Sequence, residues 1–394
     1  MSVSSRWSFL IFGFTLLAFV VESELTQHLQ TTLEYRQPFF TFYLVHSAFA
    51  IIFPLHLLYL QATTKYTINA LWNGLILALK NHITPGTAHG FPRSRFLLMI
   101  GLLTCGISFP GLLWFAAISL ASVSDVTGTF LSLVYAPDIQ LTPAIWNANA
   151  FFAYLMTFKG RWEPRRLFAV SIATIGVLVV VYGGSTSTVD VTEKRSSKPS
   201  APLVGDLLTL VASVGYALYQ VLYKKYAALS SDPEVMADRA YEHLPTSEDV
   251  PVPVNLDPAE AIYPPPFGLH PNLLTSAIGV CTFSVFWIFI PILHYLDIER
   301  FVLPNTFPII FTIFGISLSG VIFNAGFMVL LGVWGPIITS VGNLLTIVLV
   351  FVSDILFGAG VEAVTFGGVG GCALIVVAFG VLVFDMLDKT RPIR

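Results

Sequence analysis

Residues 336–348 read PIITSVGNLLTIV and set a single asparagine, Asn343, in the middle of an apolar run; residues 144–155 read AIWNANAFFAYL and set two, Asn147 and Asn149, in another. With Val126 and Thr127 leading into the earlier run, the two stretches align and Asn149 falls on Asn343. Both then lead into glycine-punctuated apolar segments with matching ends, GVLVVVYGG (Gly176 to Gly184) and AFGVLVFD (Ala378 to Asp385). A polar side chain at membrane depth is costly, so it faces a protein interior or a wet path. Matched polar points in two halves of one chain are the pattern of a transporter built from repeats.

The rest of the composition agrees. The chain is 55% apolar and only 11% charged, where a soluble domain carries about 25% charge; its mean hydropathy is +0.77. Ten apolar runs lie near 7–27, 37–60, 96–120, 144–158, 166–184, 204–226, 272–294, 306–331, 336–357 and 364–386. All but the fourth are long enough to cross roughly 30 Å of hydrocarbon. The expected fold is therefore an all-α integral membrane protein of about ten transmembrane helices. With the N-terminus in the cytosol, ten crossings put 15 of the 20 Lys and Arg residues on the cytosolic side and leave Arg36, Lys194, Arg195, Lys198 and Arg300 opposite. That bias is the usual one, and an odd helix count spoils it. The first run also has the layout of a secretory signal, but its core is long and no small-x-small site follows it cleanly.

The net charge of −3 excludes a nucleic-acid partner. Cys105, Cys281 and Cys372 each sit inside an apolar run, so neither a disulfide framework nor a metal site is expected. No phosphate-binding G-x-x-x-x-G-K-[ST] loop and no H-E-x-x-H occurs, and no cofactor is expected. Residues 184–202 read as a connecting loop rich in Ser, Thr and Pro; residues 228–271 read as an acidic, Pro-rich, unstructured cytosolic loop. Residues 67–82 read as an amphipathic helix, either lying on the cytosolic face or buried as a linker.

The run GDLLTLVASVGYALYQVLYKKY (Gly205 to Tyr226), with QPFFTFYLVHSAF (Gln37 to Phe49), AIWNANAFFAYL and FNAGFMVLLGVWGPIITSVGNLLTIVLVFVSD (Phe323 to Asp354), resembles drug/metabolite superfamily transporters with EamA-type repeats. More narrowly it is similar to the F-type branch of the solute carrier 35 family and its fungal relatives. The resemblance implies two inverted five-helix repeats, both termini cytosolic, and a central cavity reached alternately from each side. The first repeat is then 1–183. The second opens with its first helix at 203–227, resumes after the acidic loop at 272–387, and ends in a tail at 388–394. One segment departs from the family: GTFLSLVYAPDIQLTP (Gly128 to Pro143) intervenes before Ala144. Asp125 to Asn149 spans 24 positions, Gly335 to Asn343 spans 8, and these 16 residues account for the difference. Translated intron is the favoured origin, with a genuine lumenal loop as the alternative.

Several polar residues are candidates for a solute path. Asp206, Thr209, Ser213, Tyr216, Gln220 and Tyr223 recur at spacings of three and four, drawing one polar stripe along a helix. In lipid such a stripe must face protein or water. It either lines a cavity or supplies interhelical hydrogen bonds. Asn149, Tyr216, Gln220, Asn324 and Asn343 are the expected substrate-binding set, with structural hydrogen bonding as the competing role for each Asn. Glu24, Gln27, Trp114 and Asp354 are candidates for coupling or gating. Glu22 and Glu24, with Gln27, end the first helix on the lumenal side, where they recruit a cation or form a solvated rim. Lys224 and Lys225 mark the cytosolic interface. Small-residue faces at Gly367, Gly368, Gly370 and Gly371, and at Ala169, Ala173 and Gly176, permit close helix approach, within the chain or in a homodimer.

The function expected is secondary transport of a small polar metabolite across an endomembrane, vacuolar or Golgi, by exchange or proton coupling. A membrane enzyme needs clustered titratable residues at depth, and the eight histidines are scattered. A receptor or scaffold has no need of matched polar points. A nucleotide sugar is disfavoured, because its phosphates call for Lys or Arg inside the membrane.

Overall fold

The computed structural model describes residues 3–85, 90–120, 148–157, 163–183, 202–229, 261–357 and 365–389. Segment 128–143, nearly all of 184–202 and most of 228–271 lie outside the described residues. The helices are α1 (Val3–Thr31), α2 (Pro38–Ala48), α3 (Ile52–Thr63), α4 (Ile68–Ile83), α5 (Arg93–Leu120), α6 (Asn149–Thr157) and α7 (Pro164–Gly183). They continue with α8 (Pro202–Leu222), α9 (Leu269–Phe286), α10 (Phe289–Tyr295), α11 (Phe307–Asn343), α12 (Leu345–Phe357) and α13 (Phe366–Lys389). No strand occurs among the described residues. Seven described stretches are long and apolar enough to cross a membrane. Leu97, Leu98, Leu102, Phe168, Leu207, Phe283, Phe311, Phe314 and Phe384 are all more than half exposed on the outside of the bundle. A water-soluble surface does not carry so wide an apolar belt; lipid does.

One of the seven stretches, Phe307–Val352, is 46 residues long, about 70 Å as a straight helix at 1.5 Å per residue. It is broken at Gly335, whose φ of 80° and ψ of 172° are non-helical. Glycine tolerates that φ, and the following Pro336 drives its predecessor toward extended ψ. The expected boundary between the eighth and ninth apolar runs therefore falls at this residue. The second run is likewise two segments, α2 and α3, joined by a 3₁₀ turn at Phe49–Ile51.

The packing partners are specific. α1 lies along α11, α5 along α8, α7 along α13 and α2 along α9. α1 runs antiparallel to α11: Leu25 meets Gly315, Glu22 meets Gly320, and Thr15 and Ile11 meet Gly326. α1 also touches the middle of α13, with Phe12 stacked on Phe379 at 5.1 Å. Thr67 caps α4, its hydroxyl accepting from the Ala70 amide at 3.2 Å. The apolar face of α4 (Leu71, Leu75 and Leu79, all fully buried) packs against Leu60 and Leu269, which makes it a buried linker helix. Gly74 has no side chain because the Ile262 main chain occupies that space, tied down by the Ile262 amide donating to the Ala70 carbonyl. The tail of the 228–271 loop is thus ordered from residue 261, and α9 begins at Leu269.

Two polar clamps close the ends. At one, the Glu299 carboxylate accepts from the Phe39 and Phe40 amides at 2.8 and 3.1 Å, meeting the exposed donors at the start of α2. Gln37 Nε2 donates to the Arg300 carbonyl at 2.6 Å and the Tyr35 hydroxyl to the Val302 carbonyl at 2.8 Å. Burial and the Glu299 charge push the Tyr35 phenol up to about 12. At the other, Arg166 reaches Asp385 at 3.2 Å and Arg165 reaches Asp388 at 2.8 Å, tying α7 to the end of α13.

Candidate functional site

The polar stripe of α8 points inward. Thr209, Ser213, Gln220 and Tyr223 have no exposed surface, and Tyr216 is half-buried; the side chain of Asp206 lies outside the described residues. Apolar residues on the other face, Leu207, Val211 and Leu218, are exposed. The stripe meets α11 just beyond its break. There Ser340 donates to Gln220 Oε1 at 2.7 Å, joining residues 120 positions apart. Gln220 Nε2, Thr339 Oγ1 and Asn343 Oδ1 are buried nearby without a hydrogen-bond partner among the described residues.

Such atoms stand out because most hydroxyls in this bundle are satisfied locally. Thr15, Thr26, Thr104, Thr174, Thr275, Ser284 and Ser319 each donate to the carbonyl four residues back at 2.7–2.9 Å. A polar atom buried without a partner costs about 1–3 kcal/mol. Thr339 and Asn343 leave two such atoms about one helical turn apart, on either side of the paired Ser340.

The break also shapes the site's floor. Pro336 has no N–H, so the Gly332 carbonyl loses its helical donor. The Lys224 ammonium hydrogen-bonds that carbonyl. It extends from a π-helical turn, Tyr223–Ala227, that ends α8. Lys224 is thus a helix-break partner, while Lys225 stays exposed over the Tyr226 ring.

A second polar neighbourhood lies one turn back along the stripe. The Tyr216 ring stacks on Phe327 at 5.8 Å and interacts electrostatically with Glu22 of α1. Glu22 faces Gly320 of α11; a methyl group on that glycine would stand 3.1 Å from Glu22 Oε1. Asn324 Nδ2 donates to the same glycine's carbonyl at 2.9 Å.

The sequence-derived candidates therefore fall into groups. Gln220 and Asn343 lie on the elements that meet at Ser340, Tyr216 and Asn324 lie by Glu22, and Asn149, 4% exposed, lies on α6 where that helix packs against α8 and α11. Asn324 has the local hydrogen bond that a structural role requires. Glu24 and Trp114 are half-buried, and the side chains of Gln27 and Asp354 lie outside the described residues. Sequence reasoning passed over Ser340 and did not single out Glu22. Ser340 is legible in hindsight, three residues before Asn343 and so on its face. Glu22 and Glu24 are about 200° apart on a helix, and only the glycines of α11 reveal which one faces inward. Among the described residues no three or more His, Cys, Asp or Glu side chains are grouped to hold a metal.

No protein-family model matches the chain. It is similar to the thiamine-repressible mitochondrial transport protein THI74 of Saccharomyces cerevisiae, 24% identical over 325 residues, covering 76% of this chain and 72% of that one. A solved structure, described only as the crystal structure of a protein, superposes with a TM-score of 0.53 at 13% identity, covering 98% of this chain and all of that one; it bears on the fold alone.

Proposed function

We propose that the chain is a secondary transporter that moves a small polar metabolite by alternating access. The observation that carries this reading is the buried bridge of Ser340 and Gln220, flanked by Gln220 Nε2, Thr339 Oγ1 and Asn343 Oδ1 with no partner among the described residues. Neutral amides and hydroxyls of this kind hydrogen-bond a polar solute that displaces water, and they do so beside a break that lets the parts of α11 before and after Gly335 adjust separately. Similarity to a yeast protein named as a transport protein supports a transporter in general and a role other than catalysis.

The finer architecture belongs to the proposal. Two inverted five-helix repeats pair α1 with α8, α2 with α9, α5 with α11, α6 with α12 and α7 with α13. The packing lends it support, since several of the contacts have an exchanged counterpart. α1 on α11 answers α8 on α5; α1 on α12 answers α8 on α6; α2 on α11 answers α9 on α5; α6 on α7 answers α12 on α13. Cytosolic termini follow from the Lys and Arg bias; single cysteines at positions 65 and 300 labelled from the same side would end that topology. An endomembrane location, vacuolar or Golgi, is part of the proposal, whereas the yeast relative is named as mitochondrial. A homodimer would have to use Gly370, which faces open space, because Gly176 and Gly371 face each other within the chain.

The test is uptake by purified protein in lipid vesicles, screened with a defined mixture of labelled metabolites. Gln220→Leu keeps bulk and removes both amide contacts; uptake of whichever metabolite enters should fall at least about tenfold, the loss of roughly one hydrogen bond in a low-dielectric site. Unchanged uptake at unchanged yield would move the solute path away from α8.

A further inference from the structure

Glu22 carries chemistry that the proposed solute site does not use. It sits within the span Ser8–Gln30, where an ionised carboxylate needs a compensating charge. Asp385, an acid that is buried as a whole residue, has Arg166 at 3.2 Å and Arg165 at 3.8 Å, whereas Glu22 is half-buried with Oε2 turned inward. Glu22 has nothing comparable. Its Oε2 is buried without a hydrogen-bond partner among the described residues, and its Oε1 lies against Gly320, where no side chain stands.

The groups around it supply no cation. α2, α8, α11 and α12 contain no Lys or Arg. α11 has no titratable residue at all from Phe307 to Asn343. α8 offers Tyr216, with Tyr219 and Asp206 on the same helix. α2 offers Tyr43, whose hydroxyl donates to the Phe283 carbonyl at 3.3 Å, and His46, whose Nδ1 lies 3.1 Å from the Phe42 carbonyl. α12 carries Asp354, and α1 itself carries Glu24 and His28. One turn before Glu22, Ala18 and Phe19 of α1 join a cluster with Tyr216 and Tyr219 of α8 and Phe323 and Phe327 of α11, to which α5 and α9 also contribute; α5 has Arg93 and Arg95 in its first turn and Cys105 further on. One helical turn along α8 from Tyr216 is Gln220, the centre of the proposed solute site.

We propose that Glu22 is the proton carrier of the transport cycle. It holds a proton while the α1–α8–α11 junction is closed, and gives it up to water when that junction opens. This rests on the transport reading above. The carboxyl changes only between COOH and COO⁻, so each cycle moves one proton and breaks no other bond.

The experiment uses vesicles containing the full chain and the same defined metabolite mixture, with a pH gradient imposed or with the mixture preloaded for counterflow. Wild-type protein should accumulate its metabolite up to about tenfold per imposed pH unit, the limit for one proton per solute. Glu22→Gln should keep counterflow and lose the response to the gradient. Loss of both in well-folded protein would make Glu22 a solute contact, and retention of both would remove it from coupling; either overturns the proposal. Infrared difference titration of the wild type against Glu22→Gln, with Glu22→Asp as the second variant, reads the protonated carboxyl directly. A carboxyl band assigned to Glu22 that disappears as the pH is raised is expected; no such band overturns the proposal whatever the uptake. If no metabolite moves at all, the transport reading fails separately, and the infrared result still decides whether Glu22 holds a proton.

Discussion

Where α7 meets α13, glycine backs onto glycine; where α8 meets α11, amides and hydroxyls face one another. At the first contact, a methyl group on Gly371 would lie 2.5 Å from the Gly176 carbonyl oxygen and 2.4 Å from Val180 Cγ2, and Ala169, Ala173, Ile375 and Ala378 fill the rest with no exposed surface. At the second, Ser340 and Gln220 share one hydrogen bond while three neighbouring polar atoms have no partner among the described residues. Lipid tails are as apolar as leucine, so helices hold together in a membrane by close packing of small residues. The α7–α13 contact meets that requirement in full. The α8–α11 contact gives some of it up, which is intelligible if a solute completes it. On the proposed reading, one contact is scaffold and the other is path.

The comparison breaks most easily at the scaffold. Gly371→Leu forces backbone against side chain at 2.4–2.5 Å, and overpacking that cannot relax costs several kcal/mol. Little monodisperse protein should survive detergent extraction, as read by size-exclusion chromatography. Recovery at wild-type yield would show that α7 and α13 are loosely docked. At the path, Asn343→Leu should leave yield and thermal stability near wild type and reduce uptake by about tenfold or more. A drop in yield with uptake per molecule unchanged would instead make Asn343 a packing residue and weaken the case for Asn149. Lys224→Met leaves the Gly332 carbonyl without its donor and should destabilise the protein by about 1–3 kcal/mol, measured as a lower melting midpoint in detergent. No change would mean that the broken helix satisfies that carbonyl in another way.

The smallest effects belong to the clamp far from both contacts, and they have opposite signs. The Arg300 hydrogen bond holds the Asp297 carboxyl below its ordinary value of 3.8, so the stability it contributes is complete above that value and is lost as the pH falls through the lowered one. Desolvation raises the Glu299 carboxyl above 4.5 despite its bonds from Phe39 and Phe40. Its contribution is complete below that value and is lost as the pH rises through the raised one. Melting midpoints followed from acid to neutral pH should therefore lose their acid limb in Asp297→Asn and flatten toward neutral pH in Glu299→Gln. The same pH profile in both variants would show that neither carboxyl is coupled to folding.

Much of this was readable from the chain, for definable reasons. Apolar run length located the helices because hydrocarbon thickness sets it. The three-and-four spacing of Thr209, Ser213, Tyr216 and Gln220 predicted an inward face because a stripe in lipid has nowhere else to go. The Gly335–Pro336 pair marked the turn between two crossings. What sequence could not supply was rotation about each helix axis relative to a neighbour. That rotation separates Glu22 from Glu24 and brings Ser340 to Gln220. It also turns Gly176 toward Gly371, where sequence alone left open whether that face met its own chain or a second copy.

The Lys224 contact with Gly332 also carries a consequence for how the molecule is made. From Phe307 to Val352 the chain offers an inserting membrane 46 residues with no charged side chain to mark where one crossing ends. The only mark is a backbone break whose freed carbonyl is met by a lysine synthesised 108 residues earlier. The register of the chain at the Gly335 break is thus tied by a side chain to the end of α8, an element made well before it.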